Sequence, residues 1–402
     1  MSAEAAVERR MQPRLQVAPA RATSVGDTAV LASNWRNWSD AETLGRWDML
    51  AAAATEPNPF FESWYLLPAL RRFDPTGAVE ILRVEHGGEL CGLVPLERRW
   101  RYARWPLPHL ASWMHPNCFL GAPLVARGHE TRFWSALLDW ADAHAGPALF
   151  AHLSHLPLEG ELAEALRIVA ERDGRRTEVV HREERALLCS ALSPEAYFEQ
   201  ALPGKKRKEL RRQYARLAEQ GRLAVVRDAD SRGLAVWIDH FLALEAEGWK
   251  GRAGSALGST EGSALGSTEA TELMAREVLS EAGRRGRLER LSLELDGRPI
   301  AMLATFLAGT GAFSWKTAFD ERYARFSPGV LLQRENLALL ERPGLEWCDS
   351  CAAPDHPMID SLWRERRAIG RISVAIGGPA RRAAFDRLVG LELARGAAGV
   401  SK

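Results

Sequence analysis

The sequence is poor in cysteine, has no excess of either charge, and contains no long apolar run that is free of proline. Five cysteines in 402 residues are too few for a disulfide-stapled secreted scaffold. Lys+Arg 53 against Asp+Glu 52 leaves a formal net charge of +1, which excludes a global electrostatic attraction to nucleic acid. Residues 1–25 hold no apolar core of signal-peptide length, because Glu4 and Glu8 interrupt it.

Two uncharged segments have the length of buried or membrane-spanning structure. Residues 105–126 contain four prolines, which would leave backbone groups unsatisfied in hydrocarbon. Residues 299–315 are interrupted by Gly309-Thr310-Gly311, a turn between two buried strands. Neither segment is expected to cross a membrane. Residues 105–126 either belong to the core, or contact a lipid surface or line an apolar channel.

Two segments about 209 residues apart share a strand, a glycine turn and a second strand. The turns are Gly87-Gly88 and Asp296-Gly297. Either an α/β module is duplicated or two hairpins agree by chance, and duplication is the more economical interpretation. We expect an α/β fold with mixed sheets in two tandem domains. The expected bounds are a disordered tail over 1–25, domains over 26–180 and 181–375, and a C-terminal helix and tail over 376–402.

A strand, a short loop and a helix start are predicted around Ser327. Residues 313–319 are strongly apolar, and Ser327 and Pro328 suit the N-cap and the first helical position. This pattern is either a simple helix start or a site where backbone N–H groups and the helix dipole hold a phosphate. The candidate donor-binding residues of the second interpretation are Arg322, Arg325, Ser327, Gly329 and Val330.

Residues 241–252 group Glu245, Trp249 and Lys250 before a Gly/Ser-rich stretch that contains GSALGSTE twice in tandem. The three side chains form either one wall of a site with a lid, or a helix end with Trp249 as a core anchor. The tandem repeat is typical of a flexible loop.

The segment Cys348-Asp349-Ser350-Cys351 has CxxC spacing, and His356 follows it. No second Cys/His pair lies nearby at the spacing of a zinc site, and the segment is predicted to be a strand, whereas a redox CxxC starts a helix. We predict no metal site. Asp349 and His356 are better candidates for chemistry, because α/β sites collect at the carboxyl ends of strands.

The predicted helix over 204–220 is basic on one face and includes Lys205 and Arg212. One such helix in a neutral protein is a narrow basis for nucleic-acid binding. A solvated face, or a patch for an anionic substrate, carrier or lipid headgroup, is preferred. Lys205 and Arg212 are therefore candidate substrate contacts, and no nucleic-acid partner is expected.

Four segments together resemble the CelD/BcsL-type proteins of the GNAT acyltransferase superfamily, which are distantly similar to the Fem peptidoglycan aminoacyltransferases. The segments are 205–217, 245–252, 316–329 and 349–367. The resemblance implies two tandem GNAT-like domains with the donor site in the second. It also implies an amine acceptor and an acyl thioester donor, usually acyl-CoA, as co-substrate rather than as a permanently bound cofactor. Bacterial ceramide synthases, which acylate sphingoid bases, belong to this group.

Attack on a thioester requires a neutral amine, whereas an alkyl amine has a pKa of about 10.4. Desolvation lowers that pKa, and a carboxylate or histidine can accept the proton. Glu245 and His356 are the candidates for this role. Lys316 either assists at the carbonyl oxygen or only pairs with Asp349.

We therefore expect a cytoplasmic N-acyltransferase, in peripheral contact with the inner membrane at most, that uses acyl-CoA and a lipid amine such as a sphingoid base. One alternative is Fem-like transfer from aminoacyl-tRNA, with the basic helix binding RNA. The other is an accessory protein of exopolysaccharide (cellulose) synthesis whose site has decayed.

Overall fold

The computed structural model describes residues 21–247, 268–354 and 356–399. The α-helices in this part of the chain are α1 (Ala41–Ala53), α2 (Ser63–Phe73), α3 (Glu130–His144), α4 (Glu161–Arg172), α5 (Pro194–Ala201), α6 (Gly204–Ala218), α7 (Leu234–Glu247), α8 (Thr268–Arg284), α9 (Pro328–Glu335) and α10 (Pro379–Gly399). The strands are β1 (Arg21–Val25), β2 (Thr28–Asn34), β3 (Glu80–His86), β4 (Glu89–Arg99), β5 (His109–Ser112), β6 (Leu124–Val125), β7 (Phe150–Pro157), β8 (Thr177–Leu188), β9 (Leu223–Asp228), β10 (Leu288–Leu295), β11 (Arg298–Ala308), β12 (Gly311–Phe319), β13 (Trp347–Asp349) and β14 (Glu365–Ala375).

All the described strands join one mixed sheet. Its order is β1-β2-β3-β4-β5-β7-β14-β8-β13-β12-β11-β10-β9, and β6 pairs with β4 at the side. Only two of the strand pairs are parallel, β5 with β7 and β12 with β13. Both parallel ladders are short, so the strands of each pair separate soon after they meet. Such a parting opens a wedge between the two strands of each pair.

The same order of elements occurs twice along the chain. In the first module β2, two helices and the meander β3-β4-β5 lead to α3 and then to β7. In the second module β9, two helices and the meander β10-β11-β12 lead to α9 and then to β13. The two predicted hairpins are β3–β4 and β10–β11, in equivalent places. The prediction of an α/β fold built from two tandem modules is confirmed.

The expected domain bounds differ from the structure in three places. Arg21–Val25, expected in the tail, forms β1 and pairs with β2. The expected boundary at 180/181 falls inside β8, a strand that pairs with β14 along most of its length and with β13 at Leu187 and Leu188. Strand β14 comes late in the chain yet inserts between β7 and β8. The predicted C-terminal helix is present as α10.

The two modules share one hydrophobic core. Phe60 of the first module packs edge-to-face on Phe313 of β12, with 5.7 Å between ring centroids. Trp315 of β12 donates its indole N–H to the carbonyl of Asn117 at 3.1 Å. Because these contacts are buried, the position of β12 relative to residues 113–122 is fixed, and cavities at the junction have defined walls.

Candidate functional site

The parallel pair in the second module parts where the sequence predicted a site. Pairing between β12 and β13 ends at Phe313 and Asp349, while β12 continues to Phe319. The chain then makes a 3₁₀ turn over Glu321–Phe326 and enters α9 at Pro328. The predicted strand, loop and helix start are therefore all present, and they flank a wedge in the sheet.

Ser327 occupies the N-cap position of α9 but does not cap it as expected. Its backbone is left-handed, with φ of 53°, and its side chain makes no capping hydrogen bond. Instead its carbonyl oxygen accepts from the N–H groups of Val330 and Leu331, at 2.9 and 3.0 Å. The expectation of a side-chain cap is wrong, and the helix start is held by the backbone.

Gly329 is buried against the segment that follows β13. A Cβ at this position would lie 2.6 Å from the sulfur of Met358 and 3.4 Å from a ring carbon of Phe319. Glycine is therefore required by packing, and its Cα faces Met358 rather than an open cleft. The neighbouring cations lie outside: Arg322 has an 83% exposed side chain and pairs with Asp320 at 2.6 Å, and Arg325 is exposed.

His356 begins the turn that brings Met358 onto Gly329. The carbonyl of His356 accepts from the N–H groups of Ile359 and Asp360, and its side chain is half-buried. The structure thus brings the predicted histidine into the segment that covers the start of α9.

Asp349 lies at the end of β13 in a buried ionic cluster. Its carboxylate lies 3.4 Å from Arg185 and 3.5 Å from Arg367, and it accepts the N–H of Cys351 at 2.8 Å. Arg367 also pairs with Glu56, whose pKa burial raises despite that arginine. Cys351 has φ of 52°, so Asp349 shapes the turn that leads the chain out of the sheet. These contacts tie the end of β13 to Arg185 of β8 and Arg367 of β14.

Lys316 and Glu245 are associated with the same strand. Lys316 of β12 is half-buried, with its ammonium 5.9 Å from the ring centroid of Phe119. Glu245 is only 4% exposed and lies on α7, which packs against β12. Trp249 and Lys250 lie outside the described residues.

The basic face of α6 is separate from the wedge. Lys205 and Arg212 are both exposed, and Arg212 pairs with Glu209 of the same helix at 2.7 Å. Neighbouring Lys206 donates to the hydroxyl of Ser361 at 2.7 Å. This contact places α6 beside the segment that follows β13.

The first module has the equivalent wedge, but a carboxylate lies at its helix start. Glu130, the first residue of α3, accepts the N–H of Gly128 at 3.0 Å and the hydroxyl of Thr55. A carboxylate in this position satisfies the positive end of the helix dipole, so the place is less available to a phosphate. The two modules therefore differ in their capacity to hold an anionic donor.

The wedge of the first module opens into a cavity of 760 Å³, which we call the histidine cavity. Five of the chain's ten histidines line it: His109, His115, His152, His155 and His181. Part of its wall is Phe119 and another part is Cys351, Ala352 and Ala353, directly after β13. The cavity therefore extends from the first module to the segment that directly follows β13.

Burial keeps the cavity's inner histidines neutral. It lowers the pKa of His152 to about 3 and that of His155 to about 4, with nearby arginines adding to the effect. His115 has its pKa lowered to about 3 by burial and then by the charge of Lys316. These rings act as hydrogen-bonding groups near neutral pH.

Sequence reasoning missed most of this cavity. The available signal was the polar residues His109, Ser112, His152 and Ser154 within otherwise apolar segments that flank α3. That pattern indicates polar side chains on a buried strand, but not that both strands face one space. The sequence assigns residues 105–126 either to the core or to a lipid surface or apolar channel. They supply three residues to a neighbouring groove and seven to the cavity, namely His109, Ser112, Met114, His115, Pro116, Cys118 and Phe119.

Two further structural findings concern ions and membranes. Among the described residues, no group of three His, Cys, Asp or Glu side chains is placed to hold a metal ion. Within the same ranges, no helix combines the length and the apolar character that crossing a bilayer requires.

The fold is that of two tandem GNAT-type modules in one continuous sheet. Residues 204–357, which include most of the second module, match the family described as "Acetyltransferase (GNAT) domain". No curated protein matches the chain in sequence.

Several solved structures share this architecture. FemX is 12% identical, with alignment over 82% of this chain and 95% of FemX and a TM-score of 0.50. A conserved protein of unknown function from Bacteroides thetaiotaomicron is 13% identical, with alignment over 83% of this chain and 97% of that protein and a TM-score of 0.51. The C-terminal domain of a putative lysylphosphatidylglycerol synthetase from Agrobacterium fabrum is 14% identical, with alignment over 87% of this chain and 97% of that domain and a TM-score of 0.48. At these identities the likeness concerns the fold.

Proposed function

We propose that this protein is an N-acyltransferase whose second module holds an acyl-CoA donor and whose histidine cavity receives the amine acceptor. The observation that carries the proposal is that residues directly after β13 of the second module line the histidine cavity. The cavity is lined by Phe119, next to Lys316 of β12, and by Cys351 directly after β13. An acceptor in the cavity would thus meet a donor held in the wedge of the GNAT-matched module.

The difference between the two helix starts supports a donor in the second module. Glu130 lies at the start of α3, whereas Arg322 and Arg325 lie in the turn before α9. A phosphate-rich donor would be repelled by the first and attracted by the second. Arg322, Arg325, Ser327 and Val330 remain the proposed donor contacts, whereas Gly329 packs against Met358 and is withdrawn from that set.

The proposed chemistry is direct transfer. The amine nitrogen attacks the thioester carbonyl carbon, a C–N bond forms, the C–S bond breaks, and the CoA thiol leaves with the proton that the amine releases. Cationic surroundings such as Lys316 favour the neutral amine. We assign proton acceptance to Glu245 or His356, stabilisation of the carbonyl oxygen to Lys316, and substrate contacts to Trp249, Lys250, Lys205 and Arg212.

The favoured substrates are a long-chain acyl-CoA and a sphingoid base or another amino-lipid, as the CelD/BcsL resemblance implies. A cavity of 760 Å³ lined by part of the uncharged segment supports an acceptor of this size. Fold likeness to FemX keeps Fem-like transfer from aminoacyl-tRNA as the second candidate.

The test is thiol release from acyl-CoAs of two to eighteen carbons with sphinganine, short amines or no amine, and with product mass measured in parallel. We expect release that depends on both acyl-CoA and amine. No thiol release from any acyl-CoA, together with product formation from aminoacyl-tRNA, would select the Fem-like alternative. No product from either donor would overturn the enzyme assignment in favour of an accessory role.

Matched variants test the proton acceptors. Glu245→Gln and His356→Ala should lower kcat while the KM for acyl-CoA is retained. Glu247→Gln on the same helix and His240→Ala, both exposed in the wild type, are the controls and should retain kcat. Wild-type kcat in E245Q and H356A would remove both residues from the mechanism.

A further inference from the structure

The lining of the histidine cavity contains more cationic side chains than carboxylates. Four arginines line it, and Glu183 is the only carboxylate among its lining residues. The arginines are Arg99, Arg101, Arg185 and Arg371. An anionic group entering this space would gain charge-assisted hydrogen bonds that a neutral group would not.

Buried polar atoms in the cavity have no partner within the described part of the chain. They are Nε2 of His115, Nδ1 of His155 and Nε of Arg185. Arg185 is 2% exposed and His115 is 6% exposed. Buried polar groups are almost always hydrogen-bonded, so unpartnered atoms that line one cavity indicate a polar ligand.

His155 is held in an uncommon backbone conformation, with φ of 51°. It lies in β7 where the pairing with β14 shifts register, and its carbonyl accepts the N–H of Gly121. Strained non-glycine residues persist where the surroundings fix them, and they are frequent at binding sites. The irregularity places an imidazole at the centre of the cavity wall.

An apolar groove of 610 Å³ adjoins the cavity, and the two share Tyr102 and Ala103. The Tyr102 ring packs edge-on against His109, His152 and Phe150, at 5.2–5.4 Å between centroids. The rest of the groove is formed by residues 104–107, by Ser373, and by Phe385, Leu388, Val389 and Leu391 of α10. Tyr102 thus lines both the polar, arginine-rich cavity and the largely apolar groove.

We propose that the cavity and the groove together bind one amphiphile, with its anionic group, a phosphate or a carboxylate, in the cavity and its hydrocarbon chain in the groove. This inference rests on the proposed function in taking the amphiphile as the acceptor. It narrows the acceptor from amino-lipids in general to one whose head also carries a negative charge, which a plain sphingoid base lacks. The excess of arginines in the cavity and the position of the groove beside it favour this occupant, because neither a neutral lipid nor a free anion would use both.

Binding without donor tests the site independently of catalysis. Calorimetry would compare decyl phosphate, decanoate, decyl glucoside and inorganic phosphate on the full chain, below their micellar concentrations. We expect decyl phosphate or decanoate to bind at least about tenfold more tightly than decyl glucoside and inorganic phosphate. Preference for decyl phosphate would identify a phosphate head, and preference for decanoate a carboxylate head. Equal affinity for charged and neutral decyl ligands would overturn the anionic-group assignment.

Two exposed positions allow variants that preserve folding. Arg371→Gln should weaken the charged decyl ligand about tenfold, Arg371→Lys should recover part of that loss, and Arg298→Gln in the β10–β11 hairpin should change nothing. Leu391→Asp should weaken the decyl ligands but not inorganic phosphate, whereas Val236→Asp should not. Leu391 and Val236 are 57% and 59% exposed, so they are matched for solvent contact. Wild-type affinity in R371Q or L391D would overturn the corresponding half of the proposal.

The last test is inhibition of the acylation reaction. Decyl phosphate or decanoate, whichever binds, should inhibit amine acylation competitively with the amine and not with acyl-CoA. Competition with acyl-CoA would show that the cavity holds the donor and would overturn the acceptor assignment. If no acylation occurs with any donor, the proposed function fails while the binding measurements still decide the nature of the site.

Discussion

His155→Asn tests whether the buried histidines make the fold sensitive to acid. Asparagine tolerates the left-handed backbone that His155 adopts and is not titratable, so the variant removes the ionisable group without new backbone strain. Burial, followed by the charge of Arg185, lowers the pKa of His155 to about 4. An unfolded chain has a histidine pKa of about 6.5. Below pH 6.5 the unfolded state therefore binds more protons, and the free energy of unfolding falls as the pH falls.

The size of the effect follows from the two pKa values. With a pKa of about 6.5 in the unfolded chain and about 4 in the folded protein, His155 lowers the free energy of unfolding of the wild type by about 2 kcal/mol at pH 5 and by almost nothing at pH 7. Urea unfolding followed by circular dichroism at both pH values would measure it. H155N should lose about 2 kcal/mol less than the wild type between pH 7 and pH 5. Equal losses in H155N and the wild type would refute the assignment of a buried, neutral His155.

Three further changes test the packing that positions the site. Asp349→Asn should lower the free energy of unfolding by about 3 kcal/mol, because it leaves two buried arginines without their shared carboxylate; an unchanged urea midpoint would contradict the ionic cluster. Gly329→Ala should lower the free energy of unfolding by about 1–3 kcal/mol, because the added methyl group would collide with Met358; adding Met358→Ala should restore part of the lost stability in thermal unfolding. Unchanged stability in the single variant would show that Gly329 is not packed against Met358. Burial raises the pKa of Glu62 to about 7, so this carboxyl stabilises the fold most at low pH and its contribution is lost as the pH rises through 7. Glu62→Gln should therefore lose about 2–3 kcal/mol less than the wild type between pH 5 and pH 8, and parallel curves would contradict it.

Local features of this fold could be predicted from the sequence because they depend on neighbouring residues. The glycine turns Gly87-Gly88 and Asp296-Gly297 specify the hairpins β3–β4 and β10–β11 through their backbone conformations. Ser193 before Pro194 specifies the start of α5, and its hydroxyl accepts the N–H of Ala196 as expected. Ser327 is a position where local preference predicts the helix start but not the backbone conformation. The helix starts at the predicted residue, but tertiary packing fixes a left-handed backbone that no local preference of serine indicates.

The candidate site was predicted only in part, because its members come from distant strands. The strand–turn–helix around Ser327 was predictable from adjacent residues, as was Asp349 at the end of a strand. The partners of Asp349 were not, since Arg185 and Arg367 lie on strands that are adjacent in the sheet but far apart in the chain. The histidine cavity was missed for the same reason.

The sequence by itself determined the repeated module, the positions of its turns and helix starts, and the neutral overall charge, because turn chemistry, hydrophobic periodicity and composition act over a few residues at a time. Only the tertiary structure decided that β14 inserts between β7 and β8, that Glu130 lies at one helix start while arginines precede the other, and that five histidines line one cavity. Those facts depend on which strands pair across the sheet. The pairing is selected by the free energy of the whole buried core, to which each short stretch of sequence contributes only a part.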